Sequence, residues 1–490
     1  MLLYRCICAH PTTPTSIDCI LRFMIVLTTA YSRRFHFMNE IEGRPVAANK
    51  AAKPIGLALL ICAHIAVCCL SLIQVAEKIQ GGMFSATFHV FFDPARLYLA
   101  VSAVAAFALV SFIFVFARFT FGYLIGFYLY TIIAGYLWLS SFTDLHYDHW
   151  FAGLSATASA IAFLLPALFI SAPVRQIPTM TPRAFDRLLT CILVLGAATI
   201  AVGANRNFRF VSLVDMYEYR AKLETPTIEN YLIAIVSSAL LPFAFAGFVA
   251  VKAYWRAAAV LILLSLFYPI TLTKITLFAP LWLLFILVLS RLFEVRIAVV
   301  LSLLMPVLFG LASILLFKDS AITYFSLVNF RMIAVPSIAI DVYNDFFSKH
   351  DITHFCQIWF LKPLLRCSYQ DPLSIVMANA YKLGNFNASL FATEGIASVG
   401  LLLAPIATLV CGLVIALGNR LSAGLPAEFV LTSGTILSLV LLNVPLSTAL
   451  LTHGAGILFL LWCVTPRSLF DKPAVVGELL PTSFAAATAV

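Results

Sequence analysis

The chain predicts an all-α polytopic integral membrane protein of about 12 transmembrane helices with two enlarged periplasmic loops. Three observations carry the prediction. The 490 residues are 62% hydrophobic and only 11% charged, where a soluble domain carries roughly 25% charge. Apolar runs of about 20 residues, the length that crosses a bilayer, recur along the chain. Lysines and arginines concentrate in alternate short connections, as the positive-inside bias requires.

Residues 1–53 read as an N-terminal cytoplasmic segment. Residues 1–37 carry Pro11, Pro14 and an apolar patch at 20–29 too short to span, and Arg33 and Arg34 follow that patch. A secretory signal has the opposite order, and MNEIEGRPVAANKAAKP from Met38 reads as an ordinary cytoplasmic tail, so the expected native start is Met38. Spans follow at 54–75, 97–116, 120–141, 151–172, 188–204, 231–250, 257–272, 275–291, 297–317, 390–417, 427–446 and 448–465. Residues 54–465 are therefore the transmembrane domain. The two helices that meet at Thr273-Lys274 are short, and a re-entrant hairpin is the alternative there.

With the N-terminus cytoplasmic, the inner loops hold Arg118; Arg175, Arg183 and Arg187; Lys252 and Arg256; Arg291 and Arg296; and Arg420. The outer segment 141–150 has neither Lys nor Arg. The tail 466–490 is then cytoplasmic, and the long loops 205–230 and 318–389 lie outside.

The stretch RNFRFVSLVDMYEYRAK, residues 206–222, puts Arg206, Arg209, Arg220 and Lys222 on the outer face, against the usual bias. Arginine's planar fork suits phosphate through paired hydrogen bonds. The plain alternative is interfacial snorkelling, with Arg209 and Arg220 paired to Asp215 and Glu218. A helix over 209–222 would project Arg209, Met216 and Arg220 from one side.

Loop 318–389 carries Arg331, Lys349, Lys362, Arg366 and Lys382 with Asp341, Asp345, Asp351, Asp371, His350 and His354, among many aromatic residues. That mixture suits a carbohydrate site and equally a small folded cap. Cys356 and Cys367 both fall in it, and a disulfide and two unpaired thiols are both open there. The stretch DLHYDH, residues 144–149, groups Asp144, His146, Asp148 and His149 on the outer face as acid–base candidates. Its spacing matches no metal motif, and no C-x-x-C occurs among the 11 cysteines. Lys274 is placed at the outer tip of its hairpin, where it reaches a cavity or the interface. His64 and His453 read as packing residues within spans. The net charge of +9 is spread singly over short loops, which excludes a nucleic-acid face. No P-loop, dinucleotide turn or HExxH appears, so nothing supports an ATP-driven pump or a nicotinamide enzyme.

Twelve helices, two outer loops carrying arginines and the compact Thr273-Lys274 turn resemble the polysaccharide polymerases of the Wzy type. The segment NASLFATEGIASVGLLLAP, residues 387–405, is similar to the point where that family's large loop re-enters the membrane, with Glu394, Gly395 and Gly400 as its acid and glycines. The chain departs from the arginine-then-glycine spacing of some members, because loop 205–230 has no glycine and Gly384 stands 18 residues after Arg366.

The resemblance implies a glycosyltransferase of the bacterial inner membrane with both termini cytoplasmic. It would join undecaprenyl-diphosphate-linked oligosaccharide repeat units into O-antigen or exopolysaccharide on the periplasmic face. Arg206, Arg209, Arg220, Lys274, Arg331 and Arg366 are the implied diphosphate-binding candidates. Asp341, Asp345, His350 and Glu394 are the candidates for taking the proton of the attacking hydroxyl. No metal and no cofactor is implied; membrane lipids and a chain-length regulator protein are the implied partners, and nucleic acid is not. An O-antigen ligase or another lipid-linked glycosyltransferase fits the same architecture. A flippase for the same lipid-linked units is the non-enzymatic alternative.

Overall fold

The computed structural model describes residues 54–174, 180–212, 215–221, 223, 225–358, 360–383, 391–441 and 443–470. The expectations for residues 1–53, Arg175, Lys222, Gly384 and residues 471–490 lie outside this set. The described residues are helical and irregular, with one isolated antiparallel bridge between Val90 and Thr143.

Eleven described helices are long and apolar enough to cross a membrane, or twelve if one bent pair counts as a span. They are α1 (Pro54–Gln80), α2 (Pro94–Phe116), α3 (Phe121–Leu139), α4 (His149–Phe169), α5 (Pro182–Arg206), α6 (Thr227–Ala250), α7 (Tyr254–Thr271), α8 (Lys274–Leu292), α9 (Val295–Phe317), α10 (Ile322–Phe347) and α11 (Thr393–Ser422). A shorter apolar helix α12 (Ala427–Leu441) precedes α13 (Leu446–Thr452) and α14 (Ala455–Val464), the pair bent by 61°. Side-chain caps start several of them: Thr120 Oγ1 accepts from Tyr123 N at 3.1 Å, Asp148 from Phe151 N at 2.9 Å, and Thr181 from Ala184 N at 3.2 Å. Each satisfies an orphan amide of the first turn. The expected spans from α1 to α9 are found within a few residues. The Thr273-Lys274 turn joins two full-length helices, α7 and α8.

Helix α3 is the hub and is buried along its whole length. Small residues let its neighbours come close, the usual device where lipid removes the hydrophobic drive between helices. A Cβ on Gly122 would stand 2.1 Å from Ala167 O of α4, and one on Gly412 of α11 would stand 2.6 Å from Phe163 O. Asn419 locks the three helices together. Its Oδ1 accepts from Gly122 N and its Nδ2 donates to Ala167 O, both at 2.7 Å. Cations also tie helices together: Arg296 of α9 donates to Val115 O and Ala117 O at the end of α2, and Arg256 of α7 pairs with Asp186 of α5 at 2.8 Å.

Helix α10 departs from the expected outer loop 318–389, whose first third is a buried helix. Its polar residues fall on one stripe at helical spacing, and each bonds to a neighbour. Asn329 Nδ2 donates to Ser71 Oγ and Val307 O, both at 2.8 Å, Ser337 Oγ donates to Ile132 O at 3.0 Å, and Asn344 Nδ2 donates to Tyr136 Oη at 3.0 Å. Nine residues at its start, Ser326–Ala334, wind as π-helix, which turns Asn329 inward. Phe330 stacks on Phe84 in the α1–α2 connection at 4.3 Å, while Asp345 meets His146 in the α3–α4 connection. Both connections are joined by the Val90–Thr143 bridge, so residues near the start and end of α10 meet the same pair of connections. Replacing Asn329 with Leu leaves Ser71 and Val307 O without their donor, and thermal denaturation in detergent should read a loss of about 1–3 kcal/mol.

Helix α11 is broken. Gly400 holds φ 75°, a conformation that glycine adopts without strain. A Cβ on Gly395 would lie 2.9 Å from Ala404 O, whereas nine residues of unbroken helix span about 13 Å. The arm before Gly400 therefore folds back beside the arm after it. Its freed carbonyls at Ala397 and Ser398 accept from Thr353 N at 2.7 Å and His354 N at 3.1 Å. Those bonds fasten the segment that follows α10 to the hairpin. Cys356 and Cys367 in that segment are joined in a disulfide.

Candidate functional site

At the C-terminal part of α10, Asp341, Asn344 and Asp345 lie on one face, three and four residues apart. All three are buried. Asn344 donates to Tyr136 Oη at 3.0 Å, and the Tyr136 and Tyr147 hydroxyls are 3.3 Å apart. Tyr147 Oη donates to Asp341 Oδ1. Since the Tyr147 proton is committed to Asp341, Tyr136 donates to Tyr147, and the chain runs one way from Asn344 through both phenols to Asp341. Asp341 Oδ2 and Asn344 Oδ1 have no hydrogen-bond partner among the described residues, and neither has His149 Nδ1. A buried acceptor left without a partner costs free energy, so these atoms mark the least satisfied part of the cluster.

Asp345 is a different kind of carboxylate. Its Oδ1 accepts from Lys349 Nζ at 2.5 Å and His146 N at 3.0 Å, and its Oδ2 accepts from Tyr381 Oη at 2.6 Å. Fully partnered, it holds three segments together: α10, the α3–α4 connection and the short helix Leu373–Tyr381. Burial first, then the neighbouring Asp341 charge, pushes the Tyr147 phenol well above the ordinary tyrosine value. Burial and the bond to Asp345 do the same for Tyr381. Both phenols thus stay protonated donors throughout the neutral range. Substituting Tyr381 by Phe removes a bond to a charged acceptor, a cost of about 1.5–3 kcal/mol. Limited proteolysis should cut within residues 360–383 faster in that variant than in the parent.

A cleft of about 650 Å³ opens over this cluster. Phe91 and Arg96 line one side, and Thr143, His146, Tyr147 and His149 line the other. Arg96 lies 5.0 Å from the Phe91 ring centre and pairs with Asp93 at 3.5 Å. Tyr147 connects the cleft to Asp341. His89 Nδ1 and Asp144 Oδ1, 2.9 Å apart, tie the rim between the two connections.

The remaining expected site residues are dispersed. His350 stacks its ring on Phe346 at 4.0 Å and bonds Phe346 O through Nδ1 at 2.9 Å, so it packs against the end of α10. Glu394 sits on the arm of α11 before Gly400, where it accepts from Leu446 N at 3.4 Å. It takes part in none of the bonds to Asp341 or Asp345. Arg331 is exposed on the π-helical turns of α10, and Arg366 is exposed within the disulfide loop. Arg206 pairs with Glu229 at 3.0 Å.

Among the described residues of 209–222, the helix considered there is formed at Met216–Ala221. Tyr268 Oη holds Val211 O at 2.6 Å and Arg209 N donates to Pro269 O at 3.0 Å, which keeps the preceding residues extended. Met216 turns inward against Tyr268 and Leu272, while Arg209 and Arg220 stay exposed, so the three do not share a side. Arg209 instead lines a second, open cleft of about 490 Å³ with Phe210, Ser212, Asp215 and Tyr219. Lys274 begins α8 at the turn this segment covers.

Sequence reasoning singled out DLHYDH for its acids and histidines and passed over Tyr147. It also passed over Arg96, Tyr136, Asn344 and Tyr381. The polar stripe Asn329, Ser337, Asp341, Asn344 was the available signal, since such spacing in an apolar run marks a helix face. Among the described residues no group of three or more His, Cys, Asp or Glu side chains is placed to hold a metal ion. Compared with known family models, curated proteins and solved structures, the chain matches none of them.

Proposed function

We propose that the chain is a membrane glycosyltransferase that joins lipid-diphosphate-linked oligosaccharide repeat units into a polysaccharide, with its reaction centre at Asp341. The observation that carries this reading is the hydrogen bond from Tyr147, which lines the cleft that Arg96 borders, to the buried Asp341 carboxylate. In the reaction a hydroxyl of one repeat unit forms a bond to the anomeric carbon of the other. The bond from that carbon to the diphosphate oxygen breaks, and the lipid diphosphate leaves with the electron pair. The hydroxyl proton passes to Tyr147, which lines the cleft, as Tyr147 delivers its own proton to the buried Asp341, and Arg96 stabilises the charge growing on the diphosphate. Phe91 and Tyr147 offer rings for a sugar face.

A polymerase handles two lipid-linked units at once. The second cleft at Arg209, with an arginine, an acid and aromatic rings, supports a place for the other headgroup. Periplasmic reporters fused after residues 215 and 360 should be active and fusions after 180 inactive; the reverse pattern would remove both clefts from the substrate side. In a deletion strain, surface lipid should carry a single repeat unit. Loss of every repeat unit would indicate a flippase, and polymer stranded on its carrier lipid a ligase.

A further inference from the structure

The loop closed by Cys356 and Cys367 has no part in the chemistry above and has an unusual surface. Between the two cysteines the sequence QIWFLKPLLR has two cations, no acid and mostly apolar side chains. Leu364 is 78% exposed, Phe360 55% and Leu365 38%, and Lys362 and Arg366 are exposed beside them. Cys356 is fully buried at its base. That base is held firmly: Thr353 and His354 are bonded to the α11 hairpin, the Gln357 amide reaches Tyr369 O and Asp371 O, and Tyr369 Oη bonds Asp351 O at 2.6 Å. The apolar tip is thus displayed by a braced, covalently closed frame at one end of a membrane bundle.

We propose that this loop docks on the anionic surface of the bilayer in which the protein sits. Leu364, Leu365 and Phe360 enter the headgroup boundary, and Lys362 and Arg366 bind lipid phosphates. Charge complementarity selects this occupant: a ring with two cations and no acid suits a negative lipid surface, and interleaved leucines suit the acyl boundary beneath it. Tyr369 also packs on Phe346 and Phe347 of α10, so the docked loop braces the same helix that carries Asp345. The docking follows from the loop alone and does not rest on the proposed chemistry.

The test places a genetically encoded environment-sensitive fluorophore at position 364 of the full-length protein. The protein is reconstituted in vesicles containing phosphatidylglycerol or in phosphatidylcholine alone. Expected are blue-shifted emission and quenching by nitroxide-labelled lipids in the anionic vesicles. K362E/R366E should lower the ratio of docked to free loop by about 10- to 30-fold and leave helical content unchanged. Quenching by aqueous iodide alone would overturn the proposal, and so would lipid quenching that ignores both headgroup charge and the double substitution.

Discussion

On the proposed chemistry, replacing Asp341 by Asn should lower polymer formation by about 10²- to 10⁴-fold, the usual contribution of a positioned general base, while the protein stays in the membrane. The substitution preserves shape and keeps an oxygen to accept from Tyr147, so folding changes little and the loss falls on proton removal. Chain-length profiles of the surface polysaccharide, alongside protein abundance, measure both sides. Tyr147→Phe supplies the complementary case: it cuts the path from the cleft to Asp341 and leaves Asp341 Oδ1 without its donor, costs about 1–3 kcal/mol and should lower polymer to a similar extent. Full-length polymer in Asp341→Asn at normal abundance would remove Asp341 from the reaction.

The largest structural effect is expected at Gly122. A methyl group there would stand 2.1 Å from Ala167 O and 2.8 Å from Ala167 C, which are backbone atoms that cannot swing aside. Helices α3 and α4 must then separate, and the Gly122 N bond to Asn419 stretches with them. Gly122→Ala therefore destabilises by about 1–3 kcal/mol or more, as overpacking does in a dense interior. Gly56→Ala is the internal comparison, because no atom lies within 4 Å of its Cβ position. That change should be neutral or stabilising by about 0.5–1 kcal/mol, the ordinary gain of Ala over Gly in a helix. Half-lives of the purified variants in detergent on a temperature ramp measure both.

These two sites also mark what could be read from the residues alone. Long apolar runs gave α1 to α9 because hydrocarbon thickness dictates their length. Helix α10 was hidden by its own polar stripe: Asn329, Ser337, Asp341, Asn344 and Asp345 make the run resemble a solvated loop unless the helical period is followed. The hydrogen bonds that make such a stripe tolerable in a bundle come from α1, α3 and α9, more than a hundred residues away for α1 and α3, and linear sequence does not display them. Residues 390–417 read as one span, whereas the helix breaks at Gly400, because the fold-back depends on contact with Ala404. For the site, Asp341 and Asp345 were legible as candidates. Their division into an open carboxylate and a fully partnered one was not, because Tyr147, Tyr381 and Lys349 decide it through tertiary contacts. The arginines of residues 206–222 drew attention through charge, whereas Arg96 borders the cleft above Asp341 and was screened in the sequence by nearby Asp93.

The central claim is tested most directly by supplying the purified protein, in bilayer discs, with a chemically defined undecaprenyl-diphosphate-linked oligosaccharide and analysing the lipids by mass spectrometry. The account predicts lipid bearing two and more repeat units, one free undecaprenyl diphosphate released for each unit joined, and neither product with Asp341→Asn. Unchanged starting lipid with the parent protein, under conditions where it remains folded, would contradict it.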